Sequence, residues 1–128
     1  MPRILVIDQE EKVRSVVKQY LVKANHEVVE AESGETAIDR INDGNSPLTV
    51  DAAICNIRIP EIDGTEAIHY FQKKYPALPL IVIATFADAQ RAEDLLNANG
   101  IKAYLVKPIG KESLLAAVNR AVVGRGSA

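Results

Sequence analysis

The fold of this chain is constrained most by five short apolar runs separated by stretches of helical periodicity. The runs show no alternation of apolar and polar positions, and each is far too short to span a membrane. Uninterrupted apolar runs of this length predict strands buried on both faces, as in a parallel sheet covered by helices. The predicted strands lie at residues 4–7, 28–29, 52–55, 80–84 and 103–106.

Between these runs, apolar residues recur at helical spacing. The clearest stretch has five of them at the i, i+3, i+4, i+7 and i+8 positions of an amphipathic helix: Val13, Val16, Val17, Tyr20 and Leu21. Ser33 and Asp88 each precede another such stretch and are residue types preferred at helix N-caps. The alternation predicts an α/β sandwich, (βα)5, with helices on both faces of a parallel sheet.

Length, charge and cysteine content narrow the classes of function. The 128 residues fit one domain. We place it at residues 1–123, with residues 124–128 as a flexible tail or the start of a linker. A net charge of −2 argues against binding to nucleic acid or a membrane surface, because both need a basic face. One cysteine fits a reducing compartment, and no signal-peptide pattern is evident, so we expect a cytoplasmic protein.

Polar residues follow four of the predicted strands at the points where those strands end. Asp8 and Gln9 follow the first strand and Asn56 follows the third. Thr85 follows the fourth strand and Lys107 the fifth. Ligand sites of open parallel sheets form at the carboxyl ends of strands, near the point where the strand order reverses. These side chains are therefore candidates for a single site.

The same positions carry a resemblance to a known family. In order and spacing, residues 4–10, 31–37, 58–64, 83–85 and 103–108 resemble the motifs of response regulator receiver domains (CheY-like) of two-component signalling. The successive intervals from Asp8 to Asn56, Thr85 and Lys107 are 48, 29 and 22 residues. The resemblance covers about residues 3–122. It implies a flavodoxin-like, doubly wound fold with strand order 2-1-3-4-5.

The resemblance implies a phosphoryl-transfer site at these positions. Receiver domains accept a phosphoryl group on an aspartate at the end of the third strand, and this aspartate binds Mg²⁺ together with an acidic pair after the first strand. In this chain Asn56 occupies the phosphoacceptor position, and Asp8 and Gln9 occupy the acidic pair. Thr85 and Lys107 match the residues that contact the phosphoryl oxygens.

Further roles follow from the resemblance. Tyr104 matches an aromatic residue of the fifth strand that changes rotamer with the hydroxyl residue, although simple core packing is an alternative. The peptide between Lys107 and Pro108 resembles a cis peptide of the family. Phe86 stands where receivers that exchange phosphoryl groups quickly commonly have a small residue, so its ring either covers the pocket or turns outward.

The two departures from the family pattern both remove negative charge. A carboxamide is a poor nucleophile, so Asn56 cannot form the acyl phosphate that a carboxylate forms. Mg²⁺ prefers oxygen ligands, carboxylates foremost, so we expect its binding to be weak or absent and assign no cofactor. We expect Lys107 to pair with Asp8 or to bond the Asn56 carbonyl oxygen. Glu10 heads the first helix and is expected to point away, as a solvated charge.

Residues outside the strand ends receive ordinary roles. Cys55 lies in a predicted buried strand and is expected to act as a small apolar residue. His26 and His69 have no partner pattern and are expected at the surface.

These features favour a non-enzymatic pseudo-receiver that works by protein contact. The expected contact surface is helix 4, strand 5 and helix 5, about residues 88–122, whose mixed charges suit a modest interface with a signalling kinase, an output domain or a second copy. Two alternatives stay open. One is a conventional Mg²⁺-dependent receiver whose acceptor aspartate was mutated to give Asn56. The other, a flavodoxin-like binder of small molecules, is disfavoured because residues 8–12 form an acidic loop without glycine.

Overall fold

Each predicted apolar run forms a strand in the structure, a computed structural model that describes residues 2–41, 50–57, 64–96 and 101–126. The strands are β1 (Arg3–Ile7), β2 (Glu27–Ala31), β3 (Ala52–Asn56), β4 (Leu80–Ala84) and β5 (Ile101–Val106). A helix follows each strand in the chain. The helices are α1 (Glu11–Lys23), α2 (Gly34–Ile41), α3 (Gly64–Lys74), α4 (Ala89–Leu96) and α5 (Lys111–Gly126). Residues 58–63 of the family motif lie outside the described residues.

The strands form one parallel sheet of order β2-β1-β3-β4-β5, which confirms the predicted topology. The order reverses between β1 and β3, so a crevice opens at the carboxyl ends of these two strands. Ile7 of β1 pairs with Cys55 of β3. The residues that come next, Asp8 and Asn56, therefore start from adjacent positions.

Alternate residues of the central strands point to opposite faces and build two cores. The first core joins the sheet to α1 and α5 and includes Ile4, Val6, Ile54, Val17 and Leu114. The second core joins the sheet to α2, α3 and α4 and includes Leu5, Ile7, Val82, Phe71 and Ala92. Strands β3 and β4 are buried along their whole length. Their residues are therefore apolar, except for Asn56 at the end of β3.

Helix α1 buries a narrower stripe than its sequence predicts. Val17 and Leu21 are fully buried, whereas Val13 and Tyr20 are only half-buried. Val16 is 39% exposed.

At the carboxyl-terminal end of the chain, the backbone stays helical through Gly126, so residues 124–126 continue α5 where a tail was predicted.

Several local predictions can be compared with the structure. Ser33 caps α2, since its Oγ accepts a hydrogen bond from the Thr36 N–H at 3.1 Å. The Lys107–Pro108 peptide is cis. The prediction that His26 lies at the surface is wrong, because the residue is buried. Its backbone N–H donates to the Leu21 carbonyl oxygen and holds the residue under the end of α1. His69 is exposed, as predicted.

Within the described ranges, none of the helices combines the length and the apolar character that a membrane crossing requires.

Candidate functional site

The predicted site residues that follow β1 and β5 are held by backbone bonds that extend the sheet by one position. The Asp8 N–H donates to the Ala31 carbonyl oxygen at 3.1 Å. The Lys107 N–H donates to the Ala84 carbonyl oxygen at 2.9 Å. Asn56 is itself the last residue of β3. The three side chains therefore leave from one edge of a rigid sheet.

Asp8 is the centre of a polar cluster at this edge. Its carboxylate is fully buried. Oδ2 accepts a hydrogen bond from Asn56 Nδ2 at 3.0 Å and lies 3.2 Å from Lys107 Nζ. Oδ1 accepts the backbone N–H of Glu10 at 2.9 Å. These partners compensate the cost of burying a carboxylate.

Lys107 links Asp8 to a second carboxylate. Its side chain is 14% exposed, and Nζ lies 2.8 Å from Glu10 Oε1. Desolvation is the largest single influence on the pKa of Lys107 and acts to lower it, but the bonds and charges of Glu10 and Asp8 together raise this pKa. The hydrogen bond and charge of Lys107 lower the pKa of Glu10. We call Asp8, Glu10, Asn56 and Lys107 the strand-end cluster.

The expectation that Glu10 points away is wrong. Glu10 precedes the first residue of α1 and has an extended backbone, with φ −83° and ψ 113°. Its carboxylate pairs with Lys107 while its side chain remains 55% exposed. The sequence did carry a signal for this role: Gln9 lacks the carboxylate of the family pair, and the very next residue supplies one.

Two of the predicted site residues are more exposed than the buried centre of the cluster. Gln9 is exposed. Thr85 is also exposed, and its hydroxyl donates to Asp88 Oδ2 at 3.3 Å. Asp88, which sequence reasoning treated only as a helix cap, is 3% exposed and lies 3.9 Å from Arg91. Asp88 therefore joins the end of β4 to α4.

The two aromatic residues take different positions. Tyr104 is half-buried and packs against the core on the side of α2, α3 and α4. Of the two orientations considered for Phe86, the structure has the outward one, because the residue is 87% exposed.

The donor set of the cluster fits Mg²⁺ poorly. Asn56 turns its amide nitrogen, a hydrogen-bond donor, toward Asp8, and the Lys107 ammonium lies against oxygens of both carboxylates. Mg²⁺ demands six oxygen ligands in near-octahedral geometry. Nowhere in the described part of the chain do three or more His, Cys, Asp or Glu side chains group so as to hold a metal ion. The positive charge in this site belongs to Lys107.

The chemistry available to the cluster is limited. Asp8 and Glu10 contribute two negative charges and Lys107 one positive charge, so the cluster carries a net charge of −1. The neighbouring Cys55 is buried, and burial, followed by the charge of Asp8, raises the pKa of its thiol to about 12. The thiol therefore stays neutral and is a poor nucleophile.

Residues 4–119 match the response regulator receiver domain family. The chain belongs to this family. The chemotaxis protein CheY of Bacillus subtilis is 31% identical over 119 residues, which covers 92% of this chain and 95% of that protein. Receiver domains work in two-component signalling through protein partners, in general kinases and output domains.

Other relatives are much longer than this chain. The uncharacterized transcriptional regulatory protein YrkP of Bacillus subtilis is 30% identical over 116 residues, which covers 91% of this chain but 47% of that protein. A cyclic di-GMP phosphodiesterase of Thermotoga maritima is 25% identical over 122 residues, which covers 95% of this chain but 31% of that protein. The chain thus spans less than half the length of these two relatives.

Solved structures agree on the fold. A response regulator receiver domain protein from Clostridium thermocellum superposes with a TM-score of 0.87 at 24% identity, covering 98% of each chain. A CheY-like receiver domain protein from Methanospirillum hungatei gives a TM-score of 0.86 at 24% identity, covering 99% of this chain and 98% of that one.

Proposed function

We propose that this receiver domain is a regulatory contact module that signals without phosphorylation at residue 56. The observation that carries the proposal is the hydrogen bond from Asn56 Nδ2 to the buried Asp8 carboxylate at 3.0 Å. A carboxamide has no nucleophilic carboxylate oxygen to attack phosphorus. Here, moreover, its amide nitrogen is engaged by the one acidic residue that remains of the family pair.

The position of Lys107 supports the same proposal. In a phosphorylating receiver, a metal ion brings positive charge to this edge of the sheet. In this chain the Lys107 ammonium already lies 3.2 Å from Asp8 and 2.8 Å from Glu10. With Lys107 in this place and no carboxylate at residues 9 and 56, the cluster keeps a net charge of only −1, and weak or absent Mg²⁺ binding is part of the proposal.

Thr85 and Tyr104 have changed roles under this proposal. The Thr85 hydroxyl, which in phosphorylating relatives contacts the phosphoryl group, serves here to hold the turn before α4 through Asp88. Tyr104 serves as partial packing on the core rather than as a reporter of phosphorylation. The unphosphorylated arrangement is then the working form of the domain.

The surface through which the domain acts is proposed to be the face made by α4, β5 and α5. It carries exposed charges of both signs at Arg91, Glu93, Asp94, Lys102 and Lys111. Leu96 and Val123 add apolar area, being 36% and 67% exposed. Non-obligate interfaces are about as polar as ordinary protein surface, so this face suits a reversible contact. A kinase, an output domain or a second copy is the expected type of partner.

A conventional receiver with a mutated acceptor is the second candidate. It is favoured by the retained set of Asp8, Thr85 and Lys107 at three strand ends. If this candidate is correct, restoring one aspartate should restore activity. If the domain has diverged, residue 9 must be restored as well, since Gln9 cannot supply the metal-binding carboxylate.

The test is phosphorylation by acetyl phosphate with Mg²⁺, followed by intact mass. We expect no added phosphoryl group on the protein as it is, none or little on Asn56→Asp, and one on the double variant Gln9→Asp with Asn56→Asp. Full modification of the single variant would favour the second candidate. Stoichiometric modification of Asn56 itself would overturn the proposal.

A further inference from the structure

An apolar groove lies beside the strand-end cluster. It is bounded by α1, by the turn after β4 and by the loop after β5, and its volume is about 620 Å³. Its polar lining comes from Glu10, Lys12, Thr85 and Lys107. Its apolar lining comes mainly from Val13, Val16, Tyr20, Phe86 and Ile109. The incomplete burial of α1 creates this groove, because the core covers Val13 and Tyr20 only in part and leaves Val16 39% exposed.

Phe86 projects from the margin of this groove. At 87% exposed, its ring stands out from the surface. The backbone beneath it is fixed, since the Asp88 N–H donates to the Thr85 carbonyl at 3.0 Å and the Thr85 hydroxyl donates to Asp88. A large apolar side chain held in solvent on a fixed turn, next to an apolar concavity, marks an interaction site.

We propose that this face is a self-association site, in which two copies dock about a two-fold axis and each inserts Phe86 into the groove of the other. A flat or convex partner cannot cover a projecting ring, so the partner must be concave. This chain offers the projection and the concavity side by side on one face. A face that carries both shapes is self-complementary, as an isologous two-fold contact requires.

The charges around the groove are compatible with such a contact. Lys12 is exposed at the start of α1, and Glu10 keeps 55% of its side chain exposed on the same margin. A two-fold axis through the face lets Lys12 of one copy approach Glu10 of the other. With a net charge of only −2 per chain, long-range repulsion between copies is small.

This site adds to the contact function proposed above a second face, distinct from that of α4, β5 and α5, and assigns it to a second copy of the chain. It does not depend on whether residue 56 accepts a phosphoryl group. Its test measures self-association, whereas the test of the proposed function measures phosphorylation, so each can fail without the other.

The first experiment is sedimentation equilibrium of the full chain over a wide range of concentration. We expect a monomer–dimer equilibrium that Phe86→Ala and Val16→Glu each weaken about tenfold or more, the effect expected of an anchor residue. Val22→Ala is the matched control, because Val22 is an exposed valine of α1, 51% exposed, outside the lining of the groove. A monomer at every concentration, or a dimer that Val22→Ala weakens as much as Phe86→Ala does, would overturn the proposal. Circular dichroism checks that every variant is folded.

The second experiment mixes the two weakened variants. In a mixed pair, the unchanged Phe86 of the Val16→Glu copy meets a groove in the Phe86→Ala copy whose α1 wall, Val13, Val16 and Tyr20, is unchanged. One of the two insertions therefore survives. We expect the mixture to associate more tightly than either variant alone and less tightly than the unchanged protein. A mixture no better than the single variants would exclude reciprocal insertion.

Discussion

The carboxyl edge of the sheet has two regions of opposite character. Where β1, β3 and β5 end, the side chains turn inward and bond to one another around Asp8. Where β4 ends, the chain turns outward and leaves Phe86 in solvent. One edge of the sheet thus holds both a buried electrostatic cluster and an exposed aromatic ring. Substitutions should therefore affect stability in the first region and association in the second.

The largest effect is expected from Asp8→Ala. It removes the acceptor of three donors and leaves the Lys107 ammonium, only 14% exposed, with a single carboxylate partner in the cluster. Loss of one member of a buried charge pair should lower the free energy of unfolding by about 3 kcal/mol. Urea unfolding measures this. Phe86→Ala should change the same quantity by no more than about 0.5 kcal/mol. Equal losses for the two variants would break the contrast between the regions.

Lys107→Met tests the internal cation and should have the next largest effect. The variant keeps the length of the side chain but leaves Asp8 buried without its ammonium, so we expect a loss of about 2 kcal/mol. Lys111→Met removes an exposed lysine nearby and is the control, with little or no loss expected. Chemical denaturation of both proteins decides the matter, and similar midpoints would show that Lys107 is not a structural charge.

Asn56→Asp should have a smaller effect that responds to metal. It converts a hydrogen bond into a contact between two carboxylates, whose repulsion Lys107 partly offsets, so we expect a loss of about 1 kcal/mol. Once Gln9→Asp is added to supply the metal-binding carboxylate, Mg²⁺ binding to the folded variant should recover part of the thermal midpoint. The unchanged protein should respond to Mg²⁺ far less. An equal rise of the midpoint in both proteins would contradict the assignment of the site's positive charge to Lys107.

The smallest effect concerns pH. Lys107 lowers the pKa of Glu10 from its ordinary 4.5, so the unfolded chain binds a proton at this residue more readily than the folded one. The stability that this pair contributes is present above pH 4.5 and is lost as the pH falls below that value. Glu10→Gln should reduce this dependence of stability on pH. Thermal unfolding at a series of pH values, from neutral downward, measures it. If the variant loses stability at acidic pH as the unchanged protein does, the pair contributes no stability.

The fold was predictable because its signals are local. Runs buried on both faces are uninterruptedly apolar, and β3 and β4 show this most clearly. The weakest signal came from β2, an edge strand whose first residue is exposed and whose middle is only half-buried. Only two of its residues read as an apolar run. Edge strands need less apolar surface, so their sequence carries less information.

The site was predictable in part. Asp8, Asn56 and Lys107 meet because parallel strands end at one edge, a fact of topology. The pairing of Glu10 with Lys107 depends on the extended backbone of one residue, and the bond between Thr85 and Asp88 depends on a single turn of 3₁₀ helix. Neither conformation produces a periodic pattern of apolar residues in the sequence. The outward ring of Phe86 likewise follows from that turn and not from residue type.

Lys107 can be regarded as a tethered counter-ion. A dissolved cation reaches a site at a concentration set by the medium, and dilution or chelation removes it. A covalently attached ammonium has an effective concentration set only by chain geometry, here by the backbone bond that anchors Lys107 to Ala84. The ammonium beside Asp8 therefore cannot be removed by dilution or chelation, and under the proposed function we expect a surface built on this edge to keep its shape when magnesium levels change.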